Sequence, residues 1–162
     1  MSDYCRFAIF GAAGHLAATK LLPSLYDLQA AGRLGDALHF VALARRDWNT
    51  AQWREHLHEL LARAGRQDTE TVRRFAARFD FLAGDNDDPA LYRKLFDTVS
   101  RRPDGGSENL VLYLAIPPEG FLNVVRRLAE AGLNDESSRH RIVIEKPFGH
   151  DLESAQRLNA EL

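Results

Sequence analysis

Five short apolar runs, each followed by a longer segment with helical spacing of its apolar residues, constrain the fold of this chain most. The runs are apolar over most of their length, and glycine, proline or arginine ends most of them. Runs of this kind are typical of strands that are buried on both faces of a parallel sheet. They predict strands at Cys5–Phe10, His39–Ala44, Arg78–Ala83, Leu110–Ile116 and Arg141–Glu145.

The segments between these runs place apolar side chains three and four residues apart, which is the period of an amphipathic helix. Pro23 is expected to kink or split the first helix, and Gly132 is expected to end the fifth. Strands that alternate with helices predict a Rossmann-like, doubly wound parallel α/β sheet in a single three-layer domain. The predicted helices are His15–Ala31, Thr50–Ala64, Asp68–Ala77, Pro89–Ser100, Pro118–Ala131 and a last one capped by Asp151.

Length and composition indicate one ordinary globular domain and argue against several functions. The 162 residues include 21 Lys and Arg against 23 Asp and Glu, a net charge of -2. Nucleic-acid binding, which needs a basic surplus, is therefore not expected. No apolar stretch reaches the roughly 20 residues of a membrane span, so no membrane contact is expected. The single Cys5 cannot form an internal disulfide, and a cytoplasmic location is the expectation.

The first predicted strand runs into a glycine-containing turn that opens the first helix. Its sequence has the form G-x-x-G-x-x-A, from Gly11 through Gly14 to Ala17. The first glycine allows a tight turn, the second lets a pyrophosphate approach the backbone, and a small third residue lets the helix pack on the sheet. The N-terminus of the helix would then face the phosphates. The turn predicts a dinucleotide site, although small residues here also serve packing alone.

Two arginines, Arg45 and Arg46, follow the second predicted strand. An acidic residue at this place accepts hydrogen bonds from the ribose hydroxyls of NAD. A guanidinium instead binds a 2′-phosphate through two hydrogen bonds and can stack on adenine. The pair therefore favours NADP, with a solvated surface pair as the alternative. Asp47, which comes next, is expected to cap the second helix.

The ends of the later strands supply further candidates, because ligands of such sheets bind outside the carboxyl ends of the strands. The fourth strand ends in Pro117-Pro118, a rigid turn that either contacts nicotinamide or starts a helix. The fifth ends in Glu145-Lys146-Pro147, where a lysine can hold a substrate hydroxyl or phosphate. Asp85 and Asn86 follow the third strand and can approach adenine. His56 and His58 are two residues apart on a predicted helix, so their side chains point in different directions and no metal site is expected.

Taken in this order, the motifs resemble the coenzyme domain of glucose-6-phosphate dehydrogenase, over essentially the whole chain. That family oxidises glucose 6-phosphate with NADP, giving 6-phosphogluconolactone and NADPH in the pentose phosphate pathway. The resemblance implies a dinucleotide-binding domain over residues 1–162, without the family's large C-terminal domain. It rests on IFGAAGHLAATKLLPSLYDL (Ile9–Leu28), ALARRDW (Ala42–Trp48), YLAIPPEGF (Tyr113–Phe121) and RIVIEKPFGHDLESAQRLN (Arg141–Asn159).

The resemblance also implies roles for individual residues. Arg45 matches the arginine that binds the 2′-phosphate, and Arg46 is expected to be a second contact. Lys146 matches the lysine that contacts substrate near the nicotinamide, and Lys20 matches a basic residue that reaches the same crevice. The strand-four wall is matched by Tyr113, Ala115 and Pro117, and the coenzyme loop by Gly11, Ala12, Ala13, Gly14, His15, Leu16 and Ala17.

The chain also departs from the family pattern. The family usually has Asp where His15 stands, and basic residues where Ala18 and Thr19 stand. The later R-I-D-H-Y-L-G-K-E segment and the catalytic histidine of the family do not occur in this sequence. The expectation is a chain that binds NADP without turnover by itself, with weak or absent binding of glucose 6-phosphate. Full-length members of the family are homo-oligomers.

Two alternatives remain open at this point. The chain could be a free-standing Rossmann module that binds a nucleotide for regulation and never catalyses. It could also belong to the other sugar oxidoreductases that use Glu-Lys-Pro at the fifth strand. That group typically has G-x-G-x-x-G in the first turn, so the turn from Gly11 to Gly14 argues against it.

Overall fold

A computed structural model describes residues 4–101, 109–134, 139–145 and 152–161, apart from the side chains at 154, 158, 159 and 161. Lys146 and the helix cap expected at Asp151 lie outside the described residues. The strands are β1 (Cys5–Phe10), β2 (Leu38–Ala44), β3 (Phe79–Ala83), β4 (Asn109–Leu114) and β5 (His140–Ile144). The helices are α1 (Leu22–Ala30), α2 (Thr50–Arg63), α3 (Thr69–Ala77), α4 (Pro89–Ser100), α5 (Phe121–Glu130) and α6 (Leu152–Glu161).

The five strands form one sheet in the order β3-β2-β1-β4-β5, and every neighbouring pair is parallel. β1 lies at the centre, where Ile9 is aligned with Ala42 of β2 and Tyr113 of β4. The strand order reverses between β1 and β4, and this reversal is the place where doubly wound sheets bind their ligands. The predicted Rossmann-like fold is confirmed.

Apolar side chains fill the space on both faces of the sheet, which explains why the strands are so uniformly apolar. Alternate residues of β1 point to opposite faces, with Ile9 in one cluster and Phe10 in the other. The first cluster is closed by α1, α2 and α3, which contribute Leu25, Trp53, Leu57 and Phe75. The second is closed by α4 and α5, which contribute Leu91, Leu95, Phe121 and Val124.

The first helix is not split at Pro23. Instead it contains a widened π-helical turn over Ala17–Leu21, in which the Leu22 N–H donates to the Ala17 carbonyl, and α1 continues through the proline. Proline has no N–H, and its ring would meet the carbonyl of Thr19 in a regular α-helix. The wider turn accommodates that clash without breaking the helix.

Several element ends differ from the sequence expectation. β4 stops at Leu114, two residues early, and a short 3₁₀ turn over Pro118–Gly120 precedes α5. The cap of α2 is Asn49 and not Asp47, because Asn49 and Gln52 form a reciprocal pair of side-chain to backbone hydrogen bonds. Gly132 follows α5 with a φ of 73°, as expected for a C-terminal glycine. Within the described ranges, no helix is long and apolar enough to cross a bilayer.

Candidate functional site

The turn after β1 is held by backbone hydrogen bonds on both sides. The N–H groups of Gly11 and Ala12 both donate to the carbonyl of Leu43 in β2, each at 3.1 Å, and the Gly14 N–H donates to the Gly11 carbonyl at 2.9 Å. Gly11 has a φ of 75°, a conformation that favours glycine. The turn is therefore fixed in space where the first helix begins.

Gly11 has no room for a side chain, and Gly14 has little. A Cβ atom on Gly11 would lie 2.4 Å from the carbonyl oxygen of Ala115, and one on Gly14 would lie 3.1 Å from the Gly11 carbonyl. Ala12 and Ala17 are fully buried and pack the helix against the sheet. The first N–H groups of a helix have no partner within the helix, so they are available to an anionic ligand here.

A cleft of about 870 Å³ opens at the carboxyl ends of the strands, where the sheet reverses its order. It brings together nine residues that the sequence singled out: Gly11, Ala13, Gly14, Arg45, Arg46, Asp85, Asn86, Ala115 and Pro117. It is completed by six that sequence reasoning missed: Ala44, Asp87, Ile116, Glu119, Gly120 and Asn123. The last three follow the Pro117-Pro118 turn, which was the one available signal for them.

Other expected site residues lie beside or beneath the cleft. Ala12 and Ala17 are buried under the turn, and Leu16 is half-buried against the same core. His15 and Lys20 are exposed on the first helix, outside the cleft lining, and Lys20 lies in the π-helical turn. These residues shape or flank the cleft and do not line it.

The two arginines lie at the end of β2, and both are exposed. The Arg46 guanidinium lies over the ring of Trp48, 5.8 Å from its centroid. Among the described residues, neither Arg45 nor Arg46 forms an ion pair. Both guanidinium groups therefore retain their capacity to bind an anion that enters the cleft.

Next to the arginines, the rim of the cleft is formed by the turn between β3 and α4. The Asp87 N–H donates to the Asp85 carboxylate at 2.9 Å, and the Tyr92 hydroxyl donates to the Asn86 carbonyl at 2.7 Å. Burial is the largest influence on the Tyr92 phenol and raises its pKa, so this group stays a donor at neutral pH. A third support comes from Asn123 of α5, which donates to the Asn86 carbonyl and the Asp87 carboxylate.

Tyr113, expected on the wall of the cleft, is buried beneath it. Its ring lies 5.9 Å from the ring of Phe7, and its hydroxyl donates to the Glu145 carboxylate at the end of β5. Burial raises the pKa of the Tyr113 phenol, and the hydrogen bond to Glu145 and the charge of that carboxylate raise it further. The contact ties the end of β5 to the centre of the sheet.

A parallel sheet, a glycine turn at its centre and an open cleft at the switch of strand order define a dinucleotide-binding domain of the α/β class. A family model described as glucose-6-phosphate dehydrogenase, NAD binding domain, matches residues 8–162. The chain belongs to this family. A nicotinamide dinucleotide is accordingly the coenzyme class that the cleft is built for.

Similar proteins agree with this assignment. Glucose-6-phosphate 1-dehydrogenase of Mycolicibacterium smegmatis is 40% identical over 162 residues, which are 97% of this chain and 32% of that protein. Glucose-6-phosphate 1-dehydrogenase 2 of Mycobacterium bovis is 38% identical over 163 residues, which are 96% of this chain and 31% of that protein. This chain thus spans about a third of the length of these relatives.

Solved structures give the same answer. The chain superimposes on the crystal structure of glucose-6-phosphate 1-dehydrogenase from Mycobacterium avium with a TM-score of 0.84 and 32% identity, covering 98% of this chain and 33% of that one. A glucose-6-phosphate dehydrogenase in complex with its substrate glucose 6-phosphate gives a TM-score of 0.86 and 30% identity. That match covers 99% of this chain and 34% of the solved chain.

Proposed function

We propose that this chain binds NADP in the cleft at the carboxyl ends of its strands, as the coenzyme domain of a glucose-6-phosphate dehydrogenase. The observation that carries the proposal is the pairing of a tight glycine turn with two exposed arginines on one cleft. Backbone N–H groups at the helix start would hold the pyrophosphate. The bound coenzyme would supply a hydride acceptor.

The arginines are the reason to propose NADP rather than NAD. The 2′-phosphate is the only group that separates the two coenzymes at the adenosine ribose. Arg45 would pair with this phosphate, while Arg46, already stacked near Trp48, would give a second contact or cover the adenine. The carboxylates that line the cleft, Asp85, Asp87 and Glu119, come from other elements and not from the end of β2.

For the whole protein we propose the oxidation of glucose 6-phosphate to 6-phosphogluconolactone. The sugar loses a hydride from C1 to the coenzyme and the C1 hydroxyl proton to a base, so the reaction balances. Lys20 and Lys146 are the substrate contacts that the resemblance assigns within this chain. Two further proposals concern the whole protein: a cytoplasmic location, which follows from the sequence, and homo-oligomeric assembly, which follows from the resemblance to the family.

We further propose that this chain does not turn over by itself. Among the described residues, no histidine lines the cleft. His39 is the second residue of β2 and His140 the first of β5, so both lie at the opposite end of the sheet from the cleft, and His56 packs against Trp48 and Trp53. A base for the hydroxyl proton is therefore not among these groups. The chain can hold coenzyme without completing the reaction.

Calorimetric titration of the purified chain with NADP and with NAD tests the coenzyme proposal. The wild type is expected to bind NADP more tightly, and Arg45→Ala to weaken NADP binding by roughly 1.5–3 kcal/mol without affecting NAD. Arg93→Ala, an exposed arginine on α4, is the matched control and leaves both affinities unchanged. Equal affinity for the two coenzymes, insensitive to Arg45→Ala, contradicts the proposal. An absorbance assay for NADPH with glucose 6-phosphate is expected to show no turnover.

A further inference from the structure

Asn123 links two elements that the chain separates by 36 residues. It lies in α5, half-buried, and lines the cleft. Its side-chain amide donates to the Asn86 carbonyl at 3.3 Å and to the Asp87 carboxylate. Asn86 and Asp87 belong to the turn between β3 and α4, so this amide joins the α5 side of the cleft to the rim that this turn forms.

Apart from the Gly84 N–H, which donates to the Ala44 carbonyl of β2, the other hydrogen bonds of this turn come from the turn itself or from the helix that follows it. Asp85 accepts from the Asp87 N–H, Asp88 caps α4 through the Ala90 N–H, and Tyr92 of α4 donates to the Asn86 carbonyl. These bonds fix the shape of the turn and its connection to α4. The Asn123 amide, in contrast, bonds the turn directly to α5.

The position of this turn matters because it neighbours the arginines. β3 pairs with β2, and the Gly84 N–H donates to the Ala44 carbonyl at 3.0 Å, immediately before Arg45. A 2′-phosphate held at Arg45 would place the adenosine half of the coenzyme beside Asp85 and Asn86. The nicotinamide half would lie on the other side of the glycine turn, towards β4.

Charge adds a requirement for a neutral donor at position 123. Asp85, Asp87 and Glu119 all line the cleft, so three carboxyl groups share its lining with Asn123. An amide donates to the Asp87 carboxylate, while a carboxylate of the same size would repel it. Hydrogen bonds to charged groups are also among the stronger ones in proteins.

We propose that Asn123 is a positioning residue that holds the Asp85–Asp88 turn in place as the adenosine-side wall of the cleft. This inference rests on the proposed function, since it concerns the same coenzyme. It assigns to α5 a part in adenosine binding that depends on one side-chain amide. It also makes the pair Asn123 and Asp87 exchangeable, provided that one of them donates and the other accepts.

An exchange experiment tests the inference. Asn123→Asp, Asp87→Asn and the double variant are titrated with NADP and with 2′,5′-ADP, which contains only the adenosine half. Asn123→Asp is expected to weaken both ligands about tenfold, because repulsion from Asp87 displaces the turn. The double variant should recover most of this loss, because the amide at position 87 now donates to the carboxylate at position 123. The Asn86 carbonyl keeps its bond from Tyr92.

Controls separate positioning from general damage. Asn134→Asp adds the same charge beyond the far end of α5 and should bind like the wild type. Amide hydrogen exchange of residues 85–88 without ligand should accelerate in Asn123→Asp and slow again in the double variant. Wild-type affinity in Asn123→Asp, or no recovery in the double variant, overturns the inference alone. Failure of the wild type to bind either ligand overturns the proposed function and the inference together.

Discussion

A side chain on Gly11 would place its Cβ atom 2.4 Å from the carbonyl oxygen of Ala115, well inside van der Waals contact. The Ala115 N–H donates to the Phe10 carbonyl, so the end of β4 is fixed against the turn by the neighbouring peptide. The turn after β1 and the first residue beyond β4 therefore touch backbone to backbone. This contact forms the floor of the cleft at the switch of strand order.

The contact predicts a large loss of stability in Gly11→Ala, and Gly32→Ala is its matched control. Both glycines have positive φ, 75° and 67°, but a Cβ on Gly32 meets nothing within 4 Å. Gly32→Ala should cost roughly 1–2 kcal/mol from its backbone conformation alone. Gly11→Ala should cost a further 1–3 kcal/mol, approximately, from overpacking against Ala115. Urea unfolding measures both, and equal losses would contradict the contact.

His15→Asp is expected to raise stability at neutral pH. His15 is exposed in the first turn of the first helix, and its carbonyl accepts a hydrogen bond from the Thr19 hydroxyl. A carboxylate there interacts favourably with the helix dipole by about 0.3–1 kcal/mol. Thermal unfolding measures the gain, which should shrink at high salt. His15→Asn is the neutral control with little gain, and a lower melting temperature for His15→Asp would show that the imidazole makes a stabilising contact.

Two buried tyrosines predict a loss of stability in alkali. Burial raises the pKa of both Tyr92 and Tyr113 in the folded chain, while a tyrosine in the unfolded chain has a pKa of about 10. Above that pH the unfolded chain releases protons that the folded chain keeps, so the unfolding free energy falls as pH rises. This stabilisation is fully present below pH 10, approximately. Urea unfolding of Tyr92→Phe and Tyr113→Phe should show a weaker decline than the wild type, and identical slopes would be inconsistent with burial of these phenols.

Sequence patterns predicted the bounds of an element correctly where a glycine or proline marks its end or its start. β1 stops before Gly11 and α4 starts at Pro89, and both elements have the predicted bounds. The π-helical turn before Pro23 was not predictable, because periodicity shows that a helix is apolar on one side and not how it accommodates a proline. Asn49 displaced the expected cap Asp47 through its reciprocal bonds with Gln52, a geometry that composition alone does not select.

In the candidate site, too, some residues could be predicted from local sequence and others could not. The glycine turn and the arginine pair can be recognised in the sequence because each is a short contiguous motif. The structure places residues of both motifs in the same cleft. Asn123 belongs to no recognisable motif, and its hydrogen-bond partner Asp87 lies 36 residues earlier in the sequence. The resemblance placed Tyr113 on the cleft wall, yet Tyr113 lies within β4 and is buried in the core, whereas Ala115, just beyond the end of the strand, lines the cleft. Contacts of this kind depend on how the layers pack, which one sequence does not specify.

The stacking of Arg46 on Trp48 predicts an optical signal for coenzyme binding. Trp48 is half-buried beside the cleft, whereas Trp53 is fully buried in the core, with ring centroids 6.5 Å apart. An anion that draws the Arg46 guanidinium away from Trp48 changes the surroundings of that ring and not those of Trp53. NADP should therefore change the tryptophan fluorescence of the wild type and of Trp53→Phe, and much less that of Trp48→Phe. Circular dichroism checks the fold of both variants. An equal change in the two variants would place the bound coenzyme away from Arg46, because only Trp48 is in contact with its guanidinium.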